Sequence, residues 1–327
     1  MINFTRAFES AWERMQVILF GPFDPLKWLT IGFSAFLAGL LSGGNGVNTS
    51  FNYRNNTYSG YSGNGGVSAS KAAQAQFNLI HTQLNQFFSS TGFWVVVAVV
   101  VAFVVFFIAL SLLFVWLGAR GQFLLLDNIV RNRGAVSGPW QYYARPANSF
   151  FLFYLLLTVL FLVVTLPMVV GAIILCIPLF QQQRWPTGGE TAIFVVLGLL
   201  YLALVIMGNI ILFLYREFGP AIMFRQGLMA RAAFFETFKV VGRYPGSVAV
   251  FILLRLALFI GMAIICIMLC CVTFCACFLS QWPYIGTLLL LPVLIFLRCF
   301  SLDCLAQFGA EYDVFTVDVP PLPVVGR

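Results

Sequence analysis

Five cysteines crowd one apolar stretch: Cys266, Cys270, Cys271, Cys275 and Cys277. A helix would put Cys266 and Cys270 on one face, where two thiolates can share a soft ion such as Cu(I) or Zn. No CxxC pair occurs, and no histidine or carboxylate stands among them. They read as small apolar packing residues, and no metal or cofactor is assigned. His81 is the lone histidine and reads as a surface residue. A second group is polar: Arg255, Arg298 and Asp303 lie in or near apolar runs, and Asn209 lies inside another. Charge at such depth is costly, so each needs a partner, water or a route to the interface. Arg255 or Arg298 is expected to pair with Asp303, and Asn209 to bond between helices. The four residues form a candidate polar seam. It reads either as a site for lipid head groups or solute, or as an ion pair that joins two helices. No histidine pair, acid dyad or activated nucleophile is visible, so no catalytic residue is assigned and an enzyme is not expected.

These residues sit in a chain of 327 that is 61% hydrophobic and 9% charged. Soluble domains carry about 25% charged residues. Mean hydropathy is +0.95, and several apolar runs exceed the roughly 18 residues that suffice to span a bilayer. A soluble domain is excluded, and an all-α polytopic membrane bundle is expected. The net charge of +7 is spread over loops. That spread points to topology determinants and anionic-lipid contacts, not to a nucleic-acid surface. Most of the eight cysteines lie in apolar runs, so their number says little about redox compartment. Glu9 and Glu13 interrupt the N-terminal region, which therefore does not read as a signal peptide.

Six spans are expected near 26–41, 92–117, 148–180, 191–215, 246–278 and 285–308. A Gly, Asn, Ser and Tyr loop over 42–70 is expected to be flexible and extracytoplasmic. Pro167 predicts a kink in the third span. Residues 3–19 and 120–133 read as interfacial helices, the first with Arg6, Glu9 and Glu13 on one face. The most informative stretch is 217–256, EFGPAIMFRQGLMARAAFFETFKVVGRYPGSVAVFILLRL. Wound as one helix, its first part places Arg225, Glu236, Lys239 and Arg243 within about 40° of one another. Met223, Phe234, Phe238 and Val241 take the opposite side. Such a helix suits a membrane surface. Gly242 and Pro245-Gly246 then re-aim the chain into the bilayer. Arg225, Lys239, Arg243 and Arg131 are the candidate interfacial lipid contacts.

Basic residues concentrate before the first span and after the second and fourth, so both termini are expected to be cytoplasmic. The order of interfacial helix, proline elbow, span, turn and span recurs over about 1–117, 118–215 and 216–310. It implies one membrane domain over 1–310 with pseudo-threefold repetition, and a cytoplasmic tail over 311–327. The motifs EFGPAIMFRQGLMARAAFFETFKVVGRYPG and LRCFSLDCLAQFGAEYDVF resemble those of bacterial six-span membrane proteins without an assigned activity. These are similar to the membrane domain found beside glycerophosphoryl diester phosphodiesterases. The resemblance implies a bacterial cytoplasmic membrane and no activity, because the paired acidic metal ligands of the phosphodiesterase domain are not found. The functional expectation is a structural or accessory component that contacts anionic lipid, a partner protein or a second copy. The alternative is a transporter or channel for a small solute or lipid, with its site along the repeat seam.

Overall fold

The computed structural model describes residues 3–41, 91–182, 187–272 and 283–316. All of their regular structure is helical. Helix α1 (Phe4–Phe20) starts at Asn3, whose side chain accepts from the Arg6 amide, and stops at Gly21. It buries Ala7, Ala11, Met15, Ile18 and Leu19, a spacing that keeps one face inward. Helix α2 (Pro25–Leu40) begins where the Asp24 carboxylate caps the Leu26 amide, with proline in the first turn, where its missing N–H costs nothing. Trp28 packs edge-on against Phe20 at 5.5 Å and lies 5.7 Å from Phe23.

Then come α3 (Thr91–Val130), the short α4 (Ser137–Tyr142), α5 (Ala144–Gln182) and α6 (Gly188–Gln226). They are followed by α7 (Ala230–Arg243), α8 (Pro245–Val272), α9 (Pro283–Leu289), α10 (Leu291–Ala306) and a 3-10 turn, Ala310–Tyr312. Four helical segments are long and apolar enough to cross a membrane: Trp94–Val130, Ala144–Ile177, Gly188–Gln226 and Pro245–Ile264. The chain divides into two compact units, residues 49–114 and the remainder. Within the smaller unit, the described part of α3 exposes an unbroken apolar surface that includes Val100, Phe103, Val104 and Phe107.

The larger unit has its core at one end. Phe123, Phe150, Tyr215, Phe218, Phe251 and Phe300 are fully buried there. Their rings touch in series, with Phe150 to Tyr215 at 5.1 Å and Phe218 to Phe251 at 5.0 Å. Farther along, α5, α6 and α8 expose Leu160, Val196, Leu199, Leu253 and Ile260. Apolar surface on this scale needs an apolar surrounding, which a bilayer supplies.

The local breaks differ from the expected ones. Residues 120–133 do not form a separate interfacial helix: through Val130 they continue α3. Nothing between the second span and Arg120 stops a helix, because Gly118 and Gly121 serve close packing instead. A Cβ on Gly121 would land on the α2 backbone at Leu37 and Ala38, and one on Gly118 would reach Leu41. Residues 217–241 are two helices, not one. Gly227 takes a left-handed conformation, φ +66°, and closes α6 with its amide on the Met223 carbonyl, a role glycine fills at low cost. The sixth apolar stretch is split at Leu290 into α9 and α10 because Pro292 has no amide for the ladder. Helix α5 runs as one assigned helix through Pro167 and Pro178. The surface expected of α1 is also modified, since its apolar back lies on α10. Asn3 and Gln307 exchange hydrogen bonds of 2.7 and 3.1 Å, and Phe8 meets Phe296 at 5.0 Å.

Candidate functional site

Glu217 on α6 is the acid at the centre of the core. It is buried, three residues before Pro220. Proline offers no N–H to the Arg216 carbonyl and crowds it, which loosens the turn that carries Glu217. Two arginines converge on it. Arg255 from α8 brings Nη2 to 3.1 Å of Oε1 and donates Nη1 to the Leu297 carbonyl at 2.9 Å. Arg298 from α10 brings Nη1 to 3.3 Å of Oε2 and also donates it to the Glu217 carbonyl at 3.1 Å. The Arg216 charge acts on the same carboxylate, and the Ser301 hydroxyl supports it. One acid thereby ties three helices together, and three guanidiniums surround a single negative charge.

The expected seam is therefore rearranged. Arg255 and Arg298 pair with Glu217, whereas Asp303 pairs with Arg14 of α1 at 3.4 Å. The Arg14 guanidinium also lies 3.6 Å above the Phe315 ring. Asn209 is exposed and donates to the Val205 carbonyl of its own helix at 2.8 Å, not to a neighbour. Glu217 escaped the sequence reading because it follows Arg216 at the end of the fourth span and looks like a loop charge. The signal that could have found it is a lone acid beside Gly-Pro in a chain with two deep arginines.

A second charged node closes the end of α3. Asp127 is wholly buried and holds Arg131 at 2.9 Å and Arg133 at 2.8 Å. It also accepts from the Tyr143 hydroxyl at 3.2 Å. Burial, then the adjacent Asp127 charge, push the Tyr143 phenol up, so it stays protonated and donates. Arg131 was a candidate lipid contact. It is instead drawn inward, its side chain 13% exposed, because the nearest carboxylate is one turn away on its own helix. Tyr143→Phe removes one donor while both arginines still pair with Asp127. It should cost about 1 kcal/mol, read as a small fall in melting temperature of the detergent-solubilised protein. An unchanged midpoint would remove the hydroxyl from the stabilising set.

The other lipid candidates separate. Arg225 is half-buried on α6, whereas Lys239 and Arg243 are exposed on α7. Gly227 places them on different helices. Helix α7 instead presents Arg231, Phe235, Lys239 and Arg243, four apart and all exposed. Its opposite face buries Ala230, Ala233, Thr237 and Val240. Glu236 pairs with Lys239 at 3.2 Å and accepts from the Tyr312 hydroxyl at 3.4 Å. Burial, Glu311 and Glu236 push that phenol up to about 12. The start of the expected tail thus folds back, with Tyr312 and Val314 buried.

The side chains of Cys266, Cys270 and Cys271, the whole of Cys275 and Cys277, His81 and the 42–70 loop lie outside the described residues. No group of metal-holding side chains occurs among those described. Comparison with curated proteins and with solved structures finds no match. The profile of a family of unknown function matches residues 3–280, and the chain belongs to that family, DUF7544.

Proposed function

We propose that this protein is a six-span component of the bacterial cytoplasmic membrane, with both termini cytoplasmic. It works by contacting anionic lipid and partner proteins, not by catalysis. The observation that carries the reading is the exposed row Arg231, Phe235, Lys239 and Arg243 on α7. Three cations and one aromatic on a single stripe suit the plane of an anionic leaflet. The orientation is supported by what gathers at the core end. The Asn3–Gln307 exchange, the bond from Gln226 to the Glu311 carbonyl and the Asp127 node bring together the segments rich in basic residues. The pseudo-threefold repeat and the single domain over 1–310 belong to this proposal, as does the likeness to the membrane domain beside glycerophosphoryl diester phosphodiesterases.

Each basic residue near an anionic surface contributes about 1 kcal/mol. The triple variant Arg231→Gln, Lys239→Gln, Arg243→Gln should therefore lose phosphatidylglycerol affinity by at least about tenfold. Native mass spectrometry of nanodisc-exchanged protein reads this as bound lipid per chain. Equal retention by the variant and the parent would sink the lipid-contact reading. The second reading is a carrier, favoured by the buried Glu217, Arg255 and Arg298 assembly where three helices meet, a place where carriers put their sites. A retained small molecule without a stoichiometric protein partner would favour it; a stoichiometric partner would favour the first.

A further inference from the structure

We infer that Arg298, flanked by Arg255 and Arg216, is a binding site for one phosphate-type oxoanion in the core of the helical unit. Two observations converge on this. The first is the charge count. Arg216, Arg255 and Arg298 all act on Glu217, and three guanidiniums against one carboxylate leave an excess of two positive charges. A phosphate carries up to two negative ones.

The second is the orientation of Arg298. The residue is 6% exposed. Its Nη1 is used twice, on the Glu217 carbonyl and on Oε2. Its Nε and Nη2 are buried and have no protein acceptor among the described residues. These two nitrogens form one edge of the planar guanidinium, the fork that grips two oxygens at once. The same edge of Arg133 is filled, since its Nε and Nη2 both donate to Asp127 at 3.2 and 2.8 Å. In Arg298 the fork is turned away from its only acid. Buried donors are nearly always satisfied, and a two-oxygen anion satisfies both together. The oxoanion is either free phosphate or the phosphate of a lipid head group. Either source meets the same fork.

The site shares no residue with the α7 row, so it and the lipid-contact reading fail separately. It is also a statement about binding, and it holds whether or not the anion is moved across the membrane.

The full chain is purified in detergent without phosphate. Inorganic phosphate is then titrated against its melting temperature, with chloride at matched ionic strength as control. In parallel, the protein is exchanged into phosphatidylglycerol nanodiscs and examined by native mass spectrometry after release. A saturable stabilisation by phosphate alone assigns the free anion. One tightly held phosphatidylglycerol per chain, without a phosphate effect, assigns the head group. In either case Arg298→Lys keeps the charge but loses the fork, and should weaken binding at least tenfold. The α7 triple variant should leave this one equivalent in place. Should Arg298→Lys fail to fold, Arg216→Gln removes one half-exposed flanking charge and should weaken binding several-fold. The proposal is overturned if neither phosphate nor phospholipid is held at one per chain. It is equally overturned if the held anion is indifferent to whichever of the two variants folds.

Discussion

Glu217→Gln should leave little monodisperse protein, and what survives should melt far below the parent. The substitution keeps the shape and removes the only negative charge between Arg255 and Arg298. Two guanidiniums are then left uncompensated in a site where Glu217 and Arg298 are each 6% exposed. Removing one partner of a buried ion pair costs about 3–5 kcal/mol, a large share of the stability of any fold. Because Arg298 also donates to the Glu217 carbonyl, the contact between α6 and α10 is not wholly lost. Thermal unfolding followed by tryptophan fluorescence, with size exclusion as a check on folding, reads the effect. Adding Arg298→Leu to Glu217→Gln should recover part of the loss, with a coupling of about 0.5–3 kcal/mol. Purely additive losses would mean that the two side chains do not act as a pair.

Gly118→Ala and Gly121→Ala should each destabilise the protein, although alanine favours helix by about 1 kcal/mol over glycine. The new methyl would meet backbone: Leu41 Cα lies 2.8 Å from a Cβ on Gly118, and Leu37 and Ala38 block one on Gly121. Backbone cannot swing aside as a side chain can, so α2 must move off α3. It would lose the hydrogen bond from Gln122 Nε2 to the Ala38 carbonyl, 3.1 Å long. Overpacking of this kind costs about 1–3 kcal/mol, and the double variant should lose most of the folded protein. Gly171→Ala and Gly198→Ala are the controls. A Cβ on either meets nothing within 4 Å, so these variants should melt at or slightly above the parent. If all four substitutions behaved alike, the close approach of α2 and α3 would not be what holds that region.

The sequence alone determined the class of the molecule. A chain 61% hydrophobic with 9% charge and runs longer than a bilayer crossing leaves helices as the economical way to satisfy its backbone. Several boundaries were equally legible, because their causes are local: Asp24-Pro25 begins α2, and Pro245 begins α8. The inward face of α1 followed from its periodicity. Gly227 was on view too, but whether a glycine bends, caps or packs depends on its neighbours. Gly118 and Gly121 stay inside a continuous helix because α2 needs the space, while Gly227 closes one.

The pairing of charges was decided only in three dimensions. Glu217 meets arginines 38 and 81 positions away, separations at which sequence spacing carries no information. Proximity in depth made Asp303 the expected partner of Arg255 or Arg298. Helix packing gave Asp303 to Arg14 of α1 instead, because the apolar back of α1 is buried against α10. The same logic took Arg131 from the surface: Asp127 is fully buried, and a buried carboxylate draws in whatever cations its helix and the following turn can supply. Composition and local pattern fix which segments are helices and which residues are costly to bury. Only the packing of those helices decides which costly residues satisfy one another.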